Sequence, residues 1–207
     1  MGCASECLSR GEQKRIAILD AARNVFLEVG FDVASMDRIA TVAGVSKRTI
    51  YDHFGSKNDL FISIMFDLCS AKSNVMAMNL DMELPVETVL KGLGKAFLRM
   101  MFDPEGMTLF RILVSQSVQF PELGNAFFDG GPKELIEKIT GYFVEQEKRG
   151  HIEIGDCQEA AGSFMASMFG VHQIRCLLTG APPPDEKQIE VMAEAAVQRF
   201  LYGVLKA

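Results

Sequence analysis

The sequence predicts an all-α protein in which a small N-terminal three-helix unit is joined by a long helix to a larger C-terminal helical bundle. Three observations carry this reading. Apolar residues recur at helical spacing along nearly the whole chain, serines and glycines stand where helix caps belong, and no convincing strand occurs. With 207 residues and 48% hydrophobic content, the chain can bury a substantial core and is not dominated by disorder.

Residues 1 to 9 mix Gly, Ser and Cys without period and read as a mobile N-terminal arm. From about Glu12 to Val29, Ile16, Ile18, Leu19, Ala22, Val25, Phe26 and Val29 share a helix face, and Gly30 then ends the helix. Ser35 is placed to cap a short helix carrying Ile39 and Ala40. Gly44 marks a reversal, and Ser46 caps a second short helix that opens with Lys47, Arg48 and Thr49. Gly55 and Ser56 form a further stop and start. Beyond them Leu60, Phe61, Ile64, Met65, Leu68 and Cys69 keep helical period toward about Asn79. Helical segments are expected at 86–102, 105–119, 122–149 with a break near Gly130-Gly131-Pro132, 156–179 and 186–205. Pro182, Pro183 and Pro184 separate the last two, since proline cannot continue a helix.

The net charge of −6 is unevenly spread. Residues 1–60 hold eight basic and eight acidic groups, so the whole excess of negative charge falls in the remainder. Near the second short helix, Lys47, Arg48 and Lys57 face only Asp52, a small positive patch. Five cysteines, at 3, 7, 69, 157 and 176, lack the paired spacings of a zinc module or disulfide framework, which fits reduced thiols in a cytoplasm. No signal-peptide pattern, membrane-spanning run or myristoylation motif is present, so a cytoplasmic protein is expected.

Ser35 to Lys57 therefore reads as a helix-turn-helix. The first turn of a helix laid in the major groove reaches base edges, and its free backbone N–H groups favour phosphate. The residues IA at 39–40, AGVS at 43–46, Tyr51, His53-Phe54, Lys57 and Leu60 resemble the DNA-binding pattern of the TetR family of transcriptional regulators. Phe110-Arg111 and Phe120-Pro121-Glu122-Leu123 extend the resemblance, more weakly, into a C-terminal domain similar to the AefR-like branch. The resemblance implies that Tyr51, His53 and Lys57 contact phosphate. Lys47, Arg48 and Thr49 would then read bases, with Ser35 and Ser46 completing the DNA-binding set. Arg48 departs from the commonest form of the family, which carries glycine there.

In the C-terminal part, Phe97, Met100, Met101, Phe110, Phe164, Met165, Met168 and Phe169 suggest an apolar cavity beside ordinary core. Ser115 and His172 would be its polar contacts, with Gln116 and Gln173 as further candidates. Regulators resembling this chain usually bind a small effector in that domain. His172 and Cys176 lie four apart, but two possible ligands without a third make no metal site, so no metal and no cofactor are expected. No nucleophile elbow, phosphate-binding glycine loop or HExxH occurs, and no enzyme is expected. Gly162, Ala166 and Gly170 repeat every four residues and give one helix a flat side. With Val191, Ala195, Val197, Phe200, Leu201 and Val204 they form the expected contact between subunits.

Taken together, the sequence predicts an arm over 1–9, a helix-turn-helix DNA-binding domain over 10–55, and an effector-binding and dimerisation domain over 56–207. Its expected partners are double-stranded DNA with a palindromic operator, a small and largely apolar effector, and a second copy of the chain as a homodimer, with no membrane. A repressor is the leading reading. The alternatives are a helical small-molecule carrier and a redox sensor built on Cys157 or Cys176.

Overall fold

In the computed structural model, residues 9–73, 75 and 78–202 are described. Ten α-helices and one π-helical turn follow one another, with no strand among the described residues. Residues 1–8, with Cys3 and Cys7, lie outside that description, as do Val204 and the side chain of Cys69.

Helix α1 (Arg10–Val33) opens on a capping box: Ser9 Oγ accepts from the Glu12 N–H at 3.2 Å, and Glu12 accepts from the Ser9 N–H at 2.8 Å. Ser9 is thus the first anchor of the fold rather than the end of the expected arm. Gly30 breaks the helix where the sequence predicts its end, with φ at 76°, yet one further turn follows and is counted with α1. That turn drives Phe31 inward. Its ring stacks on Phe26 at 5.6 Å and meets Phe61 edge-on at 5.3 Å.

Helices α2 (Met36–Ala43) and α3 (Lys47–Phe54) follow as expected. Ser56 caps α4 (Lys57–Ser73) by accepting from the Asp59 N–H at 3.1 Å. The long helix is described to Ser73, short of the expected reach to residue 79. Val75 instead lies in a turn, and both Val75 and Leu80 are buried in the C-terminal core.

The C-terminal part comprises α5 (Val86–Met101), α6 (Pro104–Gln116), α7 (Pro121–Phe128), the π-helical turn Asp129–Lys133, α8 (Glu134–Lys148), α9 (Cys157–Thr179) and α10 (Glu186–Tyr202). Pro104 and Pro121 each sit in the first turn of a helix, where a missing N–H costs nothing. Helix α6 stops at Gln116 rather than 119, with residues 117–119 forming a turn ahead of Pro121. The expected break near Gly130-Gly131-Pro132 is a widened turn, not a gap. Pro132 has no N–H to give a regular α-helical ladder, and the extra residue absorbs the mismatch.

Between α8 and α9, Glu147 fixes the loop by accepting from the Ile154 and Gly155 N–H groups at 2.8 and 3.0 Å. These two bonds hold its carboxyl below the usual carboxylate range. Buried residues fall into two clusters. One gathers α1–α4 together with Leu109 and Leu113 of α6 and Leu123 of α7, and the other gathers α5 and α8–α10. The first three helices are therefore sealed by a helix from the C-terminal part.

Candidate functional site

Two places on the chain combine exposed or unfilled space with the chemistry predicted for them: the α2–α3 face and a cavity among α4–α9. The first is built by caps. Gly44, at φ 66° and ψ 30°, supplies the left-handed residue that ends α2, and the Val45 N–H returns to the Ala40 carbonyl at 3.1 Å. Ile39 and Ile50 are fully buried, so α3 is fixed against α2. Ser46 caps α3 through the Thr49 N–H at 3.1 Å, and its hydroxyl also lies 2.8 Å from the Thr49 hydroxyl. Ser35 likewise caps α2 through the Arg38 N–H.

On the outward face of α3, Lys47 donates to Asp37 at 2.8 Å, which raises its pKa above the ordinary lysine value. Arg48 is 89% exposed and only 3.8 Å from Asp52, a contact weak enough for a phosphate or a guanine edge to replace. Tyr51 and His53 are also exposed. Lys57 differs from the rest of the set. Its ammonium lies 4.4 Å from the centre of the Phe31 ring, and burial pushes its pKa down. The structure thus leaves Ser35, Ser46, Lys47, Arg48, Tyr51 and His53 exposed on or beside α2 and α3, with Thr49 half-buried, and turns Lys57 onto the Phe31 ring. Arg15, which the sequence reading passed over, lies 5.4 Å above the Phe54 ring and braces α3 from α1.

The second place is a cavity of about 400 Å³. Phe97, Met100, Met101, Phe110, Met165 and Phe169 of the predicted set line it, as does Gln173. Four predicted contacts do not. Phe164 is fully buried against Phe200, and Met168 fills the space over Gly94, so both are core. Ser115 is exposed and bonds the Ile112 carbonyl. His172 is exposed because Gly170, at φ 51°, breaks α9 and turns the following residues; it borders a separate shallow groove beside Pro182–Pro184. Residues that the sequence reading missed complete the lining: Phe66 from α4, Phe127 from α7, Gly130 to Pro132 from the π turn, and Glu134 with Leu135 from α8. The Gly-Gly-Pro break was the available signal. A turn that cannot close a regular helix leaves space beside it.

Comparison with known proteins decides the class. The profile of bacterial regulatory proteins of the tetR family matches residues 18–64, and the profile of the AefR-like transcriptional repressor C-terminal domain matches residues 88–203. The chain belongs to the TetR family. Its relative AcnR, a transcriptional repressor of Corynebacterium glutamicum, is 30% identical over 187 residues, covering 89% of this chain and 93% of that protein. A solved Mesorhizobium loti chain described as a TetR-family regulator superposes with TM-score 0.80 at 28% identity, covering 94% and 98% of the two chains. The flavonoid-responsive regulator FrrA gives 0.75 at 29% identity, covering 92% and 96%. A TetR-family protein with this helix-turn-helix is a DNA-binding transcription regulator of all-α fold.

Seen as a TetR-family chain, the link between the two places is the informative part. Phe110 and Phe127 line the cavity from α6 and α7, while Leu109, Leu113 and Leu123 of those helices are buried in the N-terminal cluster. Gln116 at the end of α6 donates to Asp32 at 3.0 Å, and Asn58 of α4 donates to Glu122 of α7 at 2.9 Å. Phe66 projects from α4 into the cavity wall, stacked on Phe127 at 6.1 Å.

The surface predicted for pairing is only partly free. Gly162, Ala166, Gly170, Val191 and Ala195 retain accessible surface. Val197 is fully buried in the chain's own core, and Phe200 packs between Phe143 and Phe164 at 5.4 and 5.1 Å, with Leu201 beside that cluster. Val197 and Phe200 serve the interior, because they lie on the face that α10 packs against α5 and α9. Beyond Gly170, however, Val171, Ile174 and Leu178 are 78%, 59% and 81% exposed on one face of α9. Cys157 and Cys176 are buried, and burial pushes the Cys157 thiol up, away from the reactive thiolate. Among the described residues no group of three or more potential ligands could hold a metal, and no helix is long and apolar enough to cross a membrane.

Proposed function

We propose that this TetR-family regulator is a cytoplasmic repressor that binds a palindromic operator as a homodimer and releases it when a small, largely apolar effector fills the cavity. In this reading residues 10–55 read DNA and residues 56–207 sense the effector and pair the subunits. One observation carries the mechanism: α6 and α7 line the cavity on one side and are built into the N-terminal core on the other. An occupant that displaces Phe110 and Phe127 moves helices bearing Leu109, Leu113 and Leu123, and with them α1 and α4. Such an occupant shifts the equilibrium only by its preference for the displaced form.

Pairing is supported by the exposed apolar face of Val171, Ile174 and Leu178 on α9 and by the exposed Val191 on α10, which are costly to leave in water. Two copies would place two α3 helices on half-sites about one helical turn apart. FrrA, named as flavonoid-responsive, supports a small-molecule effector. The thiol-sensor alternative is disfavoured by the burial of both cysteines, and the carrier alternative by the intact caps of α2 and α3.

Selection of bound sequences from random DNA tests the proposal. A palindrome should emerge, bound with steep salt dependence, and Gly131→Trp, which fills the cavity, should weaken its binding. Enrichment of no sequence, or of an asymmetric single site, contradicts it.

A further inference from the structure

We infer that the effector cavity selects an amphiphilic organic cation. This rests on the effector reading above and adds the chemical class of the ligand. The walls are aromatic: Phe66, Phe97, Phe110, Phe127 and Phe169 all border the cavity. Aromatic faces carry negative electrostatic potential and attract cations, most of all where water is excluded.

Charge in the lining has one sign. Glu134, an exposed residue at the first position of α8, is its single charged residue, and the half-buried Gln173 adds an uncharged amide. Neither side chain has an ion-pair or hydrogen-bond partner among the described residues. No basic residue lines the cavity, and three basic groups on the helices around it are engaged elsewhere. Lys133 donates to Asp129 at 3.1 Å, Lys138 to the Met78 carbonyl, and Arg111 to the carbonyls of Leu177 and Cys176 at 3.0 and 2.7 Å. Helix α8 offers an anion no free N-terminal amides either, because it runs on from the π turn, whose carbonyls already accept its first N–H groups. An anionic headgroup entering this space meets a carboxylate and ring faces with no cation. A cationic group meets one unpaired carboxylate, an amide oxygen and aromatic faces, while its apolar body fills the remainder.

The test compares tetraphenylphosphonium with tetraphenylborate, two ions of the same shape and opposite charge, by calorimetric titration of the full chain. Glu134→Gln and Gly131→Trp are titrated in parallel, with circular dichroism confirming that both variants fold. The phosphonium should bind at least roughly tenfold tighter than the borate, and Glu134→Gln should narrow the difference to about threefold or less. Gly131→Trp should abolish binding. Equal or tighter binding of the borate, an unchanged ratio in Glu134→Gln, or binding of neither ion overturns the assignment. If both ions bind without preference but Gly131→Trp excludes them, the cavity stands as a ligand site and only its cation selectivity fails. If Gly131→Trp leaves binding intact, the ions sit elsewhere and the effector reading of the cavity fails with it.

Discussion

The two buried clusters of this regulator are made of the same side-chain types and packed in opposite ways. Around α1 and α4 the rings of Phe26, Phe31 and Phe61 close on one another at 5.3 to 5.6 Å, and none of the three borders the cavity. Around α5, α8 and α9, Phe97 and Phe169 also meet, at 5.3 Å, but they border open space together with Met100, Met101 and Met165. The filled cluster holds a reading helix in one orientation. The unfilled one has side chains that can be rearranged at little cost, since methionine adapts its shape more readily than a branched or aromatic residue. In the proposed mechanism the sensor has the second kind of packing and the reader the first, and α6 and α7 belong to both.

Truncating each cluster is the sharpest way to break this contrast. Phe61→Ala removes a fully buried ring from the filled cluster and should destabilise the protein by about 3–5 kcal/mol in denaturant unfolding. Met165→Ala, beside the cavity, should cost about 2 kcal/mol, the low end for such a truncation, because part of its surroundings is already open. Equal losses would mean that the two clusters are equally tight.

Next in size is the reading face itself. Arg48→Ala should weaken operator binding by roughly tenfold and relax sequence preference at one base position of each half-site, as expected for a base contact worth about 1–3 kcal/mol. A uniform loss across all sequences would instead assign Arg48 to the phosphate backbone. A smaller effect is expected where the clusters join. A Cβ at residue 130 would lie 2.6 Å from the tip of the Phe66 ring, so Gly130→Ala should press on α4. It should lower operator affinity by about fivefold, a coupling of about 1 kcal/mol, with melting temperature little changed. Unchanged affinity would uncouple the π turn from the reader.

The smallest effect concerns acid. Glu147 is held below the ordinary carboxylate value of 4.5, so its loop bonds stabilise the fold above that value and are lost as the pH falls through the lower, folded value. Glu147→Gln should flatten that part of the acid unfolding curve and leave the curve at neutral pH lower by the loss of the charged acceptor. An identical acid limb in both proteins would place the loop's stability elsewhere.

Most of the helices, and the capped turn that sets α2 against α3, were legible because their signals are local. Ser35, Ser46 and Ser56 are caps whose partners lie three residues on, and Gly44 is required by a left-handed turn within one reversal. The cavity was half legible for the converse reason. Helical spacing shows that Phe164, Met165, Met168 and Phe169 face inward, but not which of them meets a neighbour and which meets space. That depends on Phe200, Gly94 and Phe66, all far away in sequence. His172 and Val197 were misplaced through a single assumption, that α9 and α10 each present one continuous face. Gly170 interrupts the first, and α10 turns Val197 inward.

The break at Gly170 has a consequence for how such a protein diverges. Before it, α9 contributes Met165 and Phe169 to the cavity; after it, the helix displays Val171, Ile174 and Leu178 outward. Because a left-handed glycine joins the two stretches, substitutions that reshape the chamber need not retwist the outer stretch. If, as proposed, the cavity holds the effector and the outer stretch pairs the subunits, a duplicated copy can change the molecule it answers to while still recognising its twin, and a residue with a side chain at position 170 would tie the two histories together.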